Sequence, residues 1–327
     1  MSKLVLTGVG DVDTTVRLDV NPDLTLGATD ALVTLEAAAL NPADFLFALG
    51  WYGVYPQVPS AIGFEGVGRV AAVGAEVDQS LAGKRVIFLP VGTPGVWATQ
   101  AVVPARNLVV VPDAADARQL AMLSVNPATA YLLLNRYVDL QPGDWIGQNI
   151  ANSAVGQLVV ALARRAGVKT LNVVRREEAA QQVRDLGGDV VLVDGEDLGD
   201  RVKAALGGAE LKLVLDGAAD ATAATLATAL SAGGTVVGYS SATGEPAKLP
   251  LGDVIYRELN HRGFWITNWA RTASRKEVER VYGELAGLVV AGELGAAVEA
   301  VYSLEDFQAA FDHARKAGRA GKVLFTF

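Results

Sequence analysis

The stretch Asp144-Trp145-Ile146-Gly147-Gln148-Asn149-Ile150-Ala151-Asn152-Ser153-Ala154-Val155-Gly156-Gln157 reads as a strand running through a tight polar turn into an amphipathic helix. Val155, Leu158, Val159, Leu162 and Ala166 are spaced so that one apolar stripe lies along a helix face. A dinucleotide pyrophosphate binds at such a turn, because a helix N-terminus presents backbone N–H groups and the positive end of its dipole. A second strand at 170–174 follows and ends in Arg175-Arg176. In a dinucleotide-binding βαβ unit the end of this strand faces the adenosine ribose, where NAD binders place an acidic side chain for the 2′-hydroxyl. Two arginines there predict a 2′-phosphate instead, hence NADPH, since a guanidinium grips phosphate through two parallel charge-assisted hydrogen bonds. The turn departs from G-x-G-x-x-G: Asn152 and Ala154 stand where glycines are common, and only Gly156 fits. What carries the reading is the order strand, turn, helix, strand within one short span. The competing reading is an ordinary βαβ crossover that binds nothing.

A chain of 327 residues exceeds a comfortable single core and predicts two domains. With 51% hydrophobic and 20% charged residues, it can bury a large interior. The net charge of -8 and the lack of a basic stripe exclude an electrostatic nucleic-acid partner. Cysteine is absent and histidine occurs only as His261 and His313, which excludes disulfides, cysteine nucleophiles and thiolate zinc sites. No metal centre is expected, although carboxylate-bound Mg²⁺ stays open. No long apolar run follows Lys3, so the expectation is no signal peptide, no membrane partner and a cytoplasmic location.

The first third reads as β-rich, with segments 31–36, 66–73, 85–88 and 108–111 separated by Gly, Pro and Asp, and predicts a small barrel-like domain. From Ala121 helices alternate with short apolar strands at 190–193, 212–215 and 235–239, the pattern of a doubly wound parallel sheet. After Trp269 a helix at 277–290, a strand at 298–302, a helix at 304–314 and a strand at 322–327 are expected to complete the first domain. The expected division is 1–122 with 270–327 as the catalytic domain and 123–269 as the nucleotide domain, with the site in the cleft where ligands commonly bind.

Landmarks run nearly end to end: Asn41-Pro42-Ala43-Asp44, Trp51-Tyr52-Gly53, Gly63-Phe64-Glu65-Gly66-Val67-Gly68, Asn126-Pro127-Ala128-Thr129-Ala130-Tyr131, Gln148 to Ser153, Asn172-Val173-Val174-Arg175, Arg262-Gly263-Phe264-Trp265 and Gly321-Lys322-Val323-Leu324. On these the chain resembles the medium-chain dehydrogenase/reductase superfamily, and within it the mitochondrial-type trans-2-enoyl thioester reductases. The resemblance implies a GroES-like β-barrel-type catalytic domain and a Rossmann nucleotide domain. Zinc-dependent relatives carry Gly-His-Glu where this chain has Gly63-Phe64-Glu65, so the resemblance is to the zinc-independent branch.

The implied activity is NADPH-dependent reduction of the 2,3 double bond of an enoyl thioester carried by coenzyme A or acyl carrier protein, as in fatty acid synthesis. Such a reaction needs a hydride at the β-carbon, stabilisation of charge on the thioester oxygen and a proton for the α-carbon. The family's acid is the tyrosine of a Gly-x-Tyr-Gly turn, here Tyr52. A phenol of ordinary pKa near ~10 keeps its proton at neutral pH. Carried over by motif as cofactor contacts are Asn126 and Thr129, the turn residues Asn152, Ser153, Ala154, Val155 and Gly156, then Arg175 and Arg176, Tyr239, Ser240 and Ser241 after a strand end, Phe264, Trp265, Ile266 and Thr267, and Lys322. Asn126 is also a plain helix N-cap ahead of Pro127. Trp51 and Trp269 are candidates for an acyl slot, with core packing or a subunit interface as alternatives. Two other functions stay open: a zinc-independent quinone or enone reductase of the same superfamily, and a non-catalytic NADPH-binding protein. A homodimer is expected, paired through an edge strand at 263–267.

Overall fold

The computed structural model describes residues 1–327 except Thr93, Ala242 and Ala320, and divides into two compact units, Met1–Ala128 with Ile266–Phe327, and Thr129–Trp265. In the second unit six strands lie in the order Val190–Val193, Lys169–Val174, Trp145–Gln148, Leu211–Asp216, Leu230–Gly238, Asn260–Gly263, every pair parallel. The chain starts in the middle at Trp145–Gln148, winds outward in one direction, then returns and winds in the other. The carboxyl end of Trp145–Gln148 therefore sits at the topological switch point, where doubly wound sheets bind their ligands.

The helix after that strand is Ala154–Arg165, with Ser153 as N-cap accepting from the Gly156 amide at 3.1 Å. It buries Val155, Leu158, Val159 and Leu162 as the spacing predicts, each side chain contributing about 2 kcal/mol over an exposed one. Ala166 does not extend the stripe: it is the C-cap and exposed, because Gly167 at φ +70° turns the chain out of the helix there.

The expected edge strand at 263–267 is a second correction. The edge strand is Asn260–Gly263, and Ile266–Thr272 is helical. All four edge residues are exposed, so the strand carries no apolar signal, whereas the apolar Phe264 and Ile266 are buried beyond it.

In the first unit the ten-residue strand Asp30–Ala39 is central. It pairs antiparallel with Gly66–Val73, Gln100–Pro104 and Lys322–Thr326, the last in register Leu324↔Ala39. Val298–Tyr302 lies parallel to Lys322–Thr326. The expected helix at 304–314 is a 3-10 turn Leu304–Asp306 followed by Phe307–Arg315. Trp97 anchors the core, with ring centroids 5.2 Å from Phe311 and 5.6 Å from Phe325, and its indole N–H donates to the Ala39 carbonyl at 3.1 Å. Gly63, at φ +104°, passes so close to Trp97 that a Cβ would lie 2.7 Å from the indole. Among the described residues, no helix is long and apolar enough to cross a membrane.

Candidate functional site

Two groups of side chains stand out, one in each unit. In the nucleotide unit, strand Trp145–Gln148 ends in a turn closed by the Ser153 amide on the Ile150 carbonyl at 2.8 Å and tied to the next strand by the Ala151 amide on the Val173 carbonyl at 3.2 Å. Ile150 has φ +41°, an outlier for a β-branched residue and a place where backbone strain is stored. Gly156 is required by closeness, since a Cβ there would lie 2.5 Å from the Ala151 carbonyl oxygen. The turn is braced by a side chain: the buried Gln148 amide donates to the Gly156 carbonyl at 3.0 Å and to Asn172 Oδ1 at 2.7 Å.

Asn149 braces the next strand end. Its Nδ2 donates to Asp216 Oδ1 at 2.7 Å and to Thr222 Oγ1 at 3.2 Å, and its Oδ1 accepts from the Gly217 amide at 2.8 Å. Asp216 Oδ1 also takes the amides of Ala218 and Ala219 at 3.1 and 2.8 Å. Gly217 has no room for a side chain, because a Cβ would fall 2.5 Å from Tyr239 Oη and 2.6 Å from Ile150 Cδ1. Three strand ends thus meet at this point. The Tyr239 hydroxyl is buried there without a hydrogen bond of normal geometry; burial pushes the phenol up to about 12, with neighbouring Ser153 opposing the shift. Ser240 and Ser241 follow, exposed. Arg175 and Arg176 are exposed at the end of Lys169–Val174, and Arg176 is also the N-cap residue of helix Glu177–Asp185.

Phe264 is buried, its amide on the Gly238 carbonyl at 2.8 Å and its ring edge-on to Tyr137 at 6.4 Å; Trp265 is half-buried. Thr129 is buried in helix Asn126–Asn135.

In the other unit, Tyr52 lies on a loop bent by Gly50 and Gly53, both at positive φ, just past helix Pro42–Ala48. It is half-buried, and its ring centroid is 4.9 Å from that of Phe64. Behind Phe64 lies a buried polar cluster. Asp44 accepts from the amides of Asn41 at 2.8 Å and Phe64 at 2.9 Å. Asn41 Nδ2 donates to Glu65 Oε1 at 2.7 Å, and Glu65 Oε2 takes the Val125 amide at 2.9 Å and the Ser124 hydroxyl at 3.3 Å. Asn126 and Lys322 both donate to Asn41 Oδ1, the former at 3.4 Å.

Burial pushes Asp44 up to about 7 and Glu65 above the carboxylate range, and holds Lys322 below the usual lysine value, while attraction between Lys322 and the two carboxylates opposes all three shifts. The sequence sets Lys322 and Asn126 both near a cofactor, with Asn126 also as a helix N-cap. The structure shows Lys322 and Asn126 side by side on Asn41, and Asn126 as the first residue of its helix.

Ile266 and Thr267 are buried at the start of helix Ile266–Thr272, and Thr267 Oγ1 has no hydrogen-bond partner. The two tryptophans part company. Trp269 is 2% exposed, stacks edge-on with Tyr282 at 6.0 Å and donates to Glu277 at 3.0 Å, which is core packing; Trp51 is 73% exposed.

Residues that sequence reasoning left without a role are Asn41, Asp44 and Glu65 in one unit and Gln148, Asn149 and Asp216 in the other. The available signal was a polar or acidic residue at a strand end beside a glycine, as in Gln148-Asn149 and Asp216-Gly217.

The profile of the family described as "Alcohol dehydrogenase GroES-like domain" matches residues 27–113, and that of "Zinc-binding dehydrogenase" matches residues 154–285. The mitochondrial enoyl-[acyl-carrier-protein] reductase of Rattus norvegicus is 34% identical over 319 residues, 96% of this chain and 85% of that protein. Its counterpart from Arabidopsis thaliana is 34% identical over 324 residues, 97% and 86%. Among solved structures, a mycobacterial quinone oxidoreductase superposes with TM-score 0.89 at 25% identity over 100% of both chains. A complex of Etr1p with NADP and crotonyl-CoA gives 0.87 at 24% identity, over 100% and 99%. The 2-enoyl thioester reductase heterodimer Etr1p/Etr2p of Candida tropicalis gives 0.86 at 23%, over 100% and 99%. Relatives above 30% identity align along nearly the whole chain, so the protein belongs to the medium-chain dehydrogenase/reductase superfamily, in the branch of the mitochondrial-type enoyl thioester reductases, and is an oxidoreductase.

Proposed function

We propose that the protein uses NADPH to reduce the 2,3 double bond of trans-2-enoyl thioesters, with Tyr52 as the proton-donating group. The observation that carries this reading is the set of curated enoyl-[acyl-carrier-protein] reductases at about a third identity, together with a tyrosine held on a glycine-bent loop against Phe64. The nucleotide turn suits the cofactor on its own geometry. Ser153 caps the helix, the amides at Ala154 and Val155 fall among those a helix leaves open, and the Tyr239 hydroxyl is buried near Ser153 without a hydrogen bond of normal geometry. Arg175 and Arg176, exposed at the neighbouring strand end, are suited to a 2′-phosphate.

NADPH supplies the hydride when bound. The protein's part is orientation and charge. Tyr52 hydrogen-bonds the oxygen on which negative charge develops or gives its proton toward the α-carbon, and such a positioned acid is worth about 10²–10⁴-fold. The substrate partner is an acyl thioester, of coenzyme A or of acyl carrier protein, consistent with a place in fatty acid synthesis.

A quinone or enone substrate is the second reading, and the likeness to the mycobacterial quinone oxidoreductase favours it. The two separate in one assay: NADPH absorbance with crotonyl-CoA and with a simple quinone, for wild type and Tyr52→Phe. Enoyl turnover that falls at least a hundredfold in the variant is expected. Turnover with the quinone alone, insensitive to the substitution, would establish the second reading instead.

A further inference from the structure

Among the buried ionisable side chains of the described residues, Asp44 accepts from backbone amides on both sides of the Tyr52 loop. It is fully buried, and each carboxylate oxygen is committed to one backbone amide, Oδ2 to Asn41 and Oδ1 to Phe64. Those two amides belong to the two pieces of chain that hold Tyr52. Asn41 starts helix Pro42–Ala48, on whose last turn the loop is moored: the amides of Leu49, Gly50 and Trp51 donate to the carbonyls of Phe45, Phe47 and Leu46 at 3.1, 2.9 and 2.8 Å. Phe64 supplies the ring against which the Tyr52 ring rests, and is itself held edge-on by Phe47 of the same helix at 5.6 Å. Each amide thus has its own carboxylate oxygen, and a buried N–H left unpaired costs about 1–3 kcal/mol.

We propose that Asp44 is a positioning residue for Tyr52: it fixes both the base of the Tyr52 loop and the Phe64 ring beside it, and so aims the phenol without touching substrate. The inference rests on the reading of Tyr52 as the proton-donating group. A small misplacement of a reacting group costs up to about 10²-fold in rate, so the effect belongs in kcat.

The test is a double-mutant cycle with crotonyl-CoA and NADPH on wild type, Asp44→Asn, Tyr52→Phe and the double variant. Asparagine turns one acceptor oxygen into a donor facing an N–H. Asp44→Asn is expected to lower kcat roughly ten- to hundred-fold with the KM for NADPH unchanged, and to add nothing to Tyr52→Phe. Phe64→Leu, which leaves both hydrogen bonds in place and removes the ring, gives a second arm with the same expected outcome and does not depend on Asp44→Asn folding. Losses that multiply in the double variants, with Tyr52→Phe itself slow, would overturn the positioning role alone. Full turnover in Tyr52→Phe would overturn the reading of Tyr52, and the proposal with it.

Discussion

Replacing Lys322 with Met removes the ammonium that faces Glu65 and Asp44 and leaves both carboxyls buried. All three groups are at most 8% exposed, so water screens little of their interaction. The ammonium's attraction to the two carboxyls is the buried-charge case, in which removing one partner costs up to about 3–5 kcal/mol and lowers the melting temperature of a unit of this size by roughly 10–15 °C. The hydrogen bonds to Glu65 from Asn41, Ser124 and Val125 survive the substitution and hold the cost to that range.

The pH dependence follows from the direction of the shifts. Asp44 is raised to about 7 in the folded protein against an ordinary 3.8, so between those values the native state holds a proton that the unfolded state has lost. Its contribution to stability is therefore present at low pH and falls as pH rises through that window. Glu65 is raised as well and acts in the same direction. Without the ammonium both carboxyls are harder to ionise, so the gap between Lys322→Met and wild type should widen from pH 5 to pH 8. Thermal or urea unfolding across that range, monitored by circular dichroism, measures it. A cost below about 1 kcal/mol at pH 8, or a gap that stays flat with pH, would refute the account of the cluster as held by attraction between Lys322 and the two carboxyls.

Arg175→Ala should raise the KM for NADPH by about 10–100-fold, the worth of hydrogen bonds to a charged group, and change the KM for NADH little; equal effects on both cofactors would remove the phosphate assignment. A homodimer paired through strand Asn260–Gly263 is expected in light scattering, because Leu251, Ile255 and Tyr256 leave apolar surface exposed in the helix just before that edge. Tyr256→Asp should weaken such a dimer measurably, and a monomeric wild type would exclude it.

The parts of the fold legible in the sequence were those with an unbroken local period. Strands Gly66–Val73, Arg85–Phe88, Val190–Val193 and Val298–Tyr302 sit where the apolar runs put them, and so does the buried face of Ala154–Arg165. Asn260–Gly263 was missed because an edge strand exposed on both faces carries no apolar pattern. The site was legible only where it lay within one motif. Asn149 meets Asp216 across 67 positions, and Lys322 meets Asn41 across 281, and no spacing rule reaches that far. The tryptophans show the same limit: composition flags Trp51 and Trp269 alike, but only three-dimensional packing tells the surface one from the core one.

The pairing of Lys322–Thr326 with Asp30–Ala39 has a consequence for biosynthesis. The nucleotide unit is one continuous stretch, Thr129–Trp265, and can close on itself while translation is still under way. The other unit cannot finish its sheet until Leu324 is available to Ala39, a delay on the order of tens of seconds at about 5–20 residues per second. During that interval the Ala37–Ala39 end of the central strand is an open edge, of the sort to which chaperones and other nascent chains add.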